Sequence, residues 1–150
     1  MSNPSTSGQT IQPYVFFDGR CEEAIEFYKK ALGAEVGMIM RFKDAPAGGP
    51  GEGCAGATPA PDLIMHGSIT IGGSTILVSD GRGGGQPKFE GFSLSYTVPN
   101  EAAADKVFTA LTEGGKIEMP IAATFFSPRF GMVTDKFGVC WMVYMEGKKP

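Results

Sequence analysis

Apolar residues recur along this chain with two periods, and each period appears twice. Ala24, Phe27, Tyr28, Ala31 and Leu32 stand at i, i+3, i+4, i+7 and i+8, the spacing that lines one stripe of an α-helix. Ala104, Val107, Phe108 and Leu111 repeat the stripe, offset by 80 residues. Asp18 and Asn100 stand where a side-chain oxygen would cap the first turn, and Gly33 and Gly114-Gly115 stand where the chain would leave the helix. The spacing predicts two short amphipathic helices, each with one buried face.

Around each stripe the period shortens to two. Strands are predicted over residues 11–17 and 35–42, then over 63–71 and 74–79, joined by a Gly72-Gly73 hairpin turn. The second set is 92–98, 116–123, 130–134 and 139–145, with Asp135–Val139 turning the last hairpin and Gly138 in the place of Gly73. Each half therefore reads βαβββ, and the chain reads as an internal duplication of the α+β class: a first unit over 10–80 and a second over 92–146. Residues 1–9 read as a frayed tail. Residues 44–61 hold five Gly and four Pro, which predicts a surface loop in preference to a lid or a dimer arm. The linker 81–91 is glycine-rich like a phosphate loop, but no Gly-Lys-Ser/Thr follows it and no helix begins there, so no nucleotide site is expected.

Alternation assigns faces. Phe92, Leu94, Tyr96 and Val98 share the apolar side expected to meet the helix, and Ser93, Ser95 and Thr97 share the other. Leu63, Met65, Ile69 and Ile71 are expected on one face, with Ile64, His66, Ser68 and Thr70 opposite. By the repeat, Gln12, Tyr14 and Phe16 should point the same way as His66 and Ser93.

Composition narrows the partners. The chain has 150 residues, 42% of them hydrophobic, and a net charge of −3, enough apolar matter for a core but no basic stripe for nucleic acid or an acidic membrane. No apolar run has the length of a transmembrane helix, and the start "MSNPSTSGQT" lacks the basic and apolar regions of a signal peptide. Cys21, Cys54 and Cys140 are odd in number and far apart, which points to a reducing, cytoplasmic compartment. Cys21 sits in a first helical turn, where the dipole could activate a thiol; a small residue starting a helix is the simpler reading, since no His lies near it in sequence.

The tandem βαβββ pattern, with "PYVFFDGRCEEAIEFYKKALGAE", "DLIMHGSITIGG" and "RFGMVTDKFGVCWMV", resembles the vicinal oxygen chelate superfamily of glyoxalases, bleomycin-resistance proteins and extradiol dioxygenases, and within it the PhnB-like branch. The resemblance implies a curved eight-stranded mixed sheet around a cleft, and commonly a homodimer. It also implies where metal-using members place ligands: early in the first strand of each unit, and four residues after the glycine of each final hairpin. Those positions here hold Gln12, Ser93, Leu77 and Met142. None is a donor suited to a hard divalent metal, so no cofactor is expected.

The reading that follows is metal-free binding of a small molecule by Gln12, Tyr14, Phe16, His66, Ser93 and Arg129. Sequestration of a drug is one form of it. The alternative is a metal-dependent lyase or dioxygenase with its metal moved to His66, which would serve as ligand or as general base beside Asp80 or Glu118. A strand histidine bonded to a serine or a backbone carbonyl is the plainer role for His66, and a surface ion pair is the plainer role for Arg129. Tyr14, Phe16, Phe125, Phe126 and Phe130 could line a stacking pocket or simply fill space. A methyltransferase label attached to this branch finds no Rossmann pattern and no helix-opening glycine motif.

Overall fold

The structure is a computed structural model that describes residues 10–44, 60–81 and 88–146. It divides into two compact units, residues 1–86 and 87–150, a boundary that falls in the stretch read as the linker. Cys54, most of the Gly/Pro-rich loop, residues 82–87 of the linker and the tail lie outside the described residues.

The first unit runs β1 (Tyr14–Phe16), α1 (Cys21–Leu32), β2 (Glu35–Arg41), a 3₁₀ turn (Phe42–Asp44), β3 (Ile64–Ile71) and β4 (Ser74–Ser79). The second runs β5 (Leu94–Val98), α2 (Glu101–Thr112), β6 (Lys116–Ala122), β7 (Phe130–Thr134) and β8 (Cys140–Met145). Their strand orders are β1-β4-β3-β2 and β5-β8-β7-β6, so the two sheets share one topology. In each, the first strand lies parallel to the last and the other pairs are antiparallel. The eight strands are thus two four-stranded mixed sheets, each with a helix against one face.

That helix face makes each core. In α1 the buried residues are Cys21, Ala24, Ile25, Phe27, Tyr28 and Leu32, the predicted stripe with Cys21 and Ile25 added and Ala31 only half-buried. They share the interior with Val15, Ile69 and Val78, at roughly 1.5–3 kcal/mol for each large apolar side chain removed from water. Ala104, Val107, Phe108 and Leu111 do the same on α2. Phe108 packs so closely on β7 that a methyl group added at Gly131 would sit 2.7 Å from its ring. Asp135 is buried beneath the last hairpin, where it accepts hydrogen bonds from the N–H groups of Phe137 and Val139 and from Nε1 of the sole tryptophan, Trp141.

Three local expectations are corrected. Asp18 is not the cap of α1. It sits at φ 48° in a tight turn with Gly19, and Arg20 occupies the N-cap without a side-chain bond. The cap comes from the end of β4: Asp80 Oδ1 accepts from the N–H groups of Gly19 and Cys21, each at 2.8 Å, and Oδ2 from the N–H of Ile64 at 2.7 Å. Asn100 does cap α2, accepting from Ala103 N–H at 2.8 Å.

Ile64 does not share a face with His66. Met40 pairs with His66 but Arg41 pairs with Ile64, so Met65 is an extra residue in a bulge and Ile64 turns into the core at 0% exposure. Finally, β5 begins at Leu94, leaving Phe92 outside the strand and 47% exposed.

Candidate functional site

The helix-free face of the first sheet carries the constellation. Register places Tyr14, Leu77, Ser68 and Met38 in one row across β1, β4, β3 and β2. Phe16 pairs with Ser79, and His66 with Met40, in the next row. Tyr14 and Phe16 alternate with the buried Val15, so both point away from the core, 40% and 48% exposed.

Tyr14 reaches diagonally across β4. Its hydroxyl lies 2.7 Å from His66 Nδ1. With the imidazole neutral and protonated on Nε2, the phenol donates to Nδ1 and Nε2–H is a donor this bond does not use. Burial raises the Tyr14 phenol above its ordinary range, with the Ser79 hydroxyl acting in the other direction. Phe16 stacks on Tyr14 with ring centres 4.8 Å apart and planes 12° apart. The result is an aromatic platform with a phenol–imidazole pair at its edge.

The structure brings Tyr14, Phe16 and His66 together and places Gln12 just ahead of β1, exposed. Of the two carboxylates expected beside His66, Asp80 is 2% exposed and holds three backbone N–H groups, and Glu118 lies in the second unit, where Thr134 donates to it at 2.7 Å. The partner of His66 is a phenol, in place of the serine or backbone carbonyl expected. Cys21 is fully buried, and burial followed by the nearby Asp80 charge pushes its thiol strongly up, opposite to the shift an activated thiol needs.

Ser93 and Arg129 lie in the second unit. Ser93 stands just ahead of β5, and the half-buried Cys140 thiol is raised chiefly by burial, with the Thr134 and Ser93 hydroxyls acting in the other direction. Arg129 is held by Asp105 of α2: Nη2 lies 2.9 Å from one carboxylate oxygen and 3.0 Å from the other. This is the ion pair weighed above, and an anionic ligand would have to compete with Asp105. Near it, an open depression of about 680 Å³ is lined by Asn100, Glu101, Ala102, Pro128 and Met145, none of them a predicted ligand residue.

Phe125, Phe126 and Phe130 do cluster, with ring centres 5.1 and 5.0 Å apart along the series, and Tyr144 joins them against Phe126 at 6.4 Å. Tyr144 was missed, although it shares the parity of Met142. Ser79 was missed because only the β1–β4 register brings it beside Phe16.

The donor set at the inherited ligand positions is now concrete. Leu77 sits beside Tyr14 and Met142 beside Ser95, with Gln12 and Ser93 two residues earlier in the chain, ahead of β1 and β5. An amide, a hydroxyl, an isobutyl group and a thioether do not fit a hard divalent ion. Among the described residues no group of three or more His, Cys, Asp or Glu gathers elsewhere.

The profile of the family described as 3-demethylubiquinone-9 3-methyltransferase matches residues 9–144. The chain belongs to that family. It is PhnB-like. It is 36% identical over 143 residues to protein YjdN of Escherichia coli K12, covering 93% of this chain and 97% of that one. Among solved structures it resembles PA1353 of Pseudomonas aeruginosa, with TM-score 0.77, 35% identity, and 93% and 100% of the two chains covered. A Bacillus cereus structure titled as a putative 3-demethylubiquinone-9 3-methyltransferase, PhnB protein, aligns at TM-score 0.71 and 28% identity, over 91% and 99% of the chains. A glyoxylase/bleomycin resistance protein/dioxygenase domain from Frankia shares the fold at TM-score 0.63 and 15% identity, over 93% and 96% of the chains. This PhnB-like protein therefore has the superfamily's fold. Among the described residues no helix is long and apolar enough to cross a membrane.

Proposed function

We propose that this PhnB-like protein binds a small, planar, uncharged molecule on the open face of its first unit, over Tyr14, Phe16 and His66, without a divalent metal. The observation that carries this reading is the 2.7 Å Tyr14–His66 bond beside two exposed, stacked rings. A ring face offers stacking, and His66 Nε2–H offers a directed donor. Hydroxyl and thioether neighbours suit an uncharged ligand better than a cationic drug, which would want carboxylates. The methyltransferase description is not carried over: neither four-stranded mixed sheet provides the doubly wound parallel strands and glycine turn of a nucleoside-cofactor site. The relocated-metal reading would have to use His66 Nε2, and among the described residues no group of three or more His, Cys, Asp or Glu gathers to complete such a site.

The test is a thermal-shift screen of planar heteroaromatic fragments against wild type, Tyr14→Ala and His66→Ala. A fragment at about 100 times its Kd adds about 2.7 kcal/mol to native stability, which is a rise of roughly 5–10 °C for a chain of this size. Fragments that shift wild type but neither variant support the reading; shifts equal in all three overturn it. Plasma mass spectrometry of protein purified without chelator should find no stoichiometric metal. One equivalent of Zn, Ni, Mn or Fe, lost in His66→Ala, would transfer the reading to the metal-dependent alternative. We further propose a cytoplasmic homodimer that covers the edge of the first sheet, where Val36, Met38 and Ile39 of β2 are exposed. Sedimentation showing only monomer at micromolar concentration overturns that proposal.

A further inference from the structure

On the second unit the helix-free face presents sulfur. Met142 of β8 pairs with Met132 of β7, and Met132 pairs with Met119 of β6. Partners in register share a face. The residues alternating with Met132 and Met142 fix which face it is: Val133, Trp141 and Val143 are buried at 0–2% exposure, and Gly131 backs onto Phe108. Three thioethers thus stand in one row across three adjacent strands, on the side away from α2. Met119 is 44% exposed and the other two are half-buried, so solvent reaches the row.

Cross-strand partners bring Cβ atoms to about 4.5–5.5 Å. A methionine side chain has three rotatable bonds beyond that point, so three neighbouring sulfurs can converge on one atom. Neutral thioethers are poor ligands for hard or borderline divalent ions and good ones for soft monovalent ions. Of the two adjoining rows, one pairs Phe130, buried at 6% exposure, with the half-buried Tyr144 ring, and the other pairs Thr134 with the Cys140 thiol, whose part the test below separates.

We propose that Met119, Met132 and Met142 form a binding site for a soft monovalent metal ion, Cu(I) or its analogue Ag(I). The site uses no residue of the first unit, so it stands or falls apart from the ligand reading above. Met132, central in the row, is the ligand whose loss should cost most.

The test uses the full chain, reduced and anaerobic, competing for Cu(I) against bicinchoninate. Wild type should withdraw one equivalent. Met132→Leu should weaken binding by at least about tenfold, with Met119→Leu and Met142→Leu following; Leu conserves volume, and circular dichroism checks the fold. Met65→Leu, Cys54→Ser and Cys140→Ser should bind like wild type. X-ray absorption of the Cu(I) form should show a shell of sulfur alone. No uptake, uptake indifferent to Met132→Leu, loss with a cysteine variant alone, or a nitrogen or oxygen shell each overturns the proposal.

Discussion

Replacing Asp80 by alanine should unfold the first unit's framework at its most connected point. The carboxylate accepts from Gly19, Cys21 and Ile64 N–H at 2.7–2.8 Å, so one side chain ties the entry of α1 and the start of β3 to the end of β4. Cys21 N–H is the first donor of the helix and has no partner within it. Gly19 is exposed and can turn to water, but the bonds to Cys21 and Ile64 are buried. Each orphaned buried donor costs about 1–3 kcal/mol, and the negative charge at the helix start contributes about 0.3–1 kcal/mol more. Removing the carboxylate also removes its own desolvation cost, so we expect a net loss of about 3–5 kcal/mol, a large part of the roughly 5–15 kcal/mol that holds a native domain. Asp80→Asn keeps one acceptor oxygen but sets an amide donor against an N–H donor; about 1–3 kcal/mol is expected. Urea unfolding followed by far-UV circular dichroism reads both. With m near 2 kcal/mol/M, a 4 kcal/mol loss moves the midpoint by about 2 M. A change under about 1 kcal/mol in Asp80→Ala would show that the three donors find other partners and would refute the reasoning.

Other expectations follow from single contacts. Gly115→Ala should cost about 3 kcal/mol or more, because the new methyl group meets the Thr134 carbonyl oxygen and the Asp135 backbone, neither of which can rotate away; Gly33→Ala, in open space at φ 69°, should cost only about 1–2 kcal/mol, and equal urea midpoints for the two would contradict this. Arg41 holds the Glu22 carboxyl below its usual range through a 2.9 Å pair. That contribution is present above the unfolded pKa and is lost as pH falls through the folded one. Glu22→Gln should therefore lower stability at pH 7, by under about 1 kcal/mol because the pair is exposed, and the gap to wild type should close at pH 3; a gap that widens in acid contradicts the pairing. The Tyr14 phenol, raised by burial, should ionise above the ordinary tyrosine range. The phenolate absorbance missing from Tyr14→Phe should titrate above that range, and stability linked to it should fade as pH rises through the folded value. A missing component at the ordinary tyrosine pKa counts against the partial burial of Tyr14.

The helices were legible because their signal is local: Ala24 to Leu32 and Ala104 to Leu111 need no knowledge of the rest of the chain. The cap of α1 was not, because its acceptor lies 59 residues beyond Cys21 while a plausible Asp18 stands nearer. Parity placed Tyr14, Phe16 and His66 on one face, and the sheet brings them together. The same parity misplaced Ile64, since an extra residue at Met65 resets the alternation and leaves no mark in composition. Which side chains touch across strands depends on register. Hence Ser79 and Tyr144 went unseen, and the partner of His66 is a phenol from a strand two positions away. Arg129 was readable as clamp or ion pair; only the packing of α2 put Asp105 within 3.0 Å and made the pair.

Comparison of equivalent rows explains why one fold supports two proposals. The row through Leu77 reads Tyr14, Leu77, Ser68, Met38; the row through Met142, at the same place in the repeated topology, reads Ser95, Met142, Met132, Met119. The backbones are copies, so the cores had to keep their apolar stripes against α1 and α2, and they did. The open faces carry no such constraint. A residue there can change class without moving a helix, and across the two rows only the outermost position, Met38 against Met119, has kept its chemistry. The first row places a phenol within reach of an imidazole; the second strings neutral sulfur across three strands. A duplication whose packing is fixed on one side and free on the other is a means of presenting two unlike surfaces on one architecture.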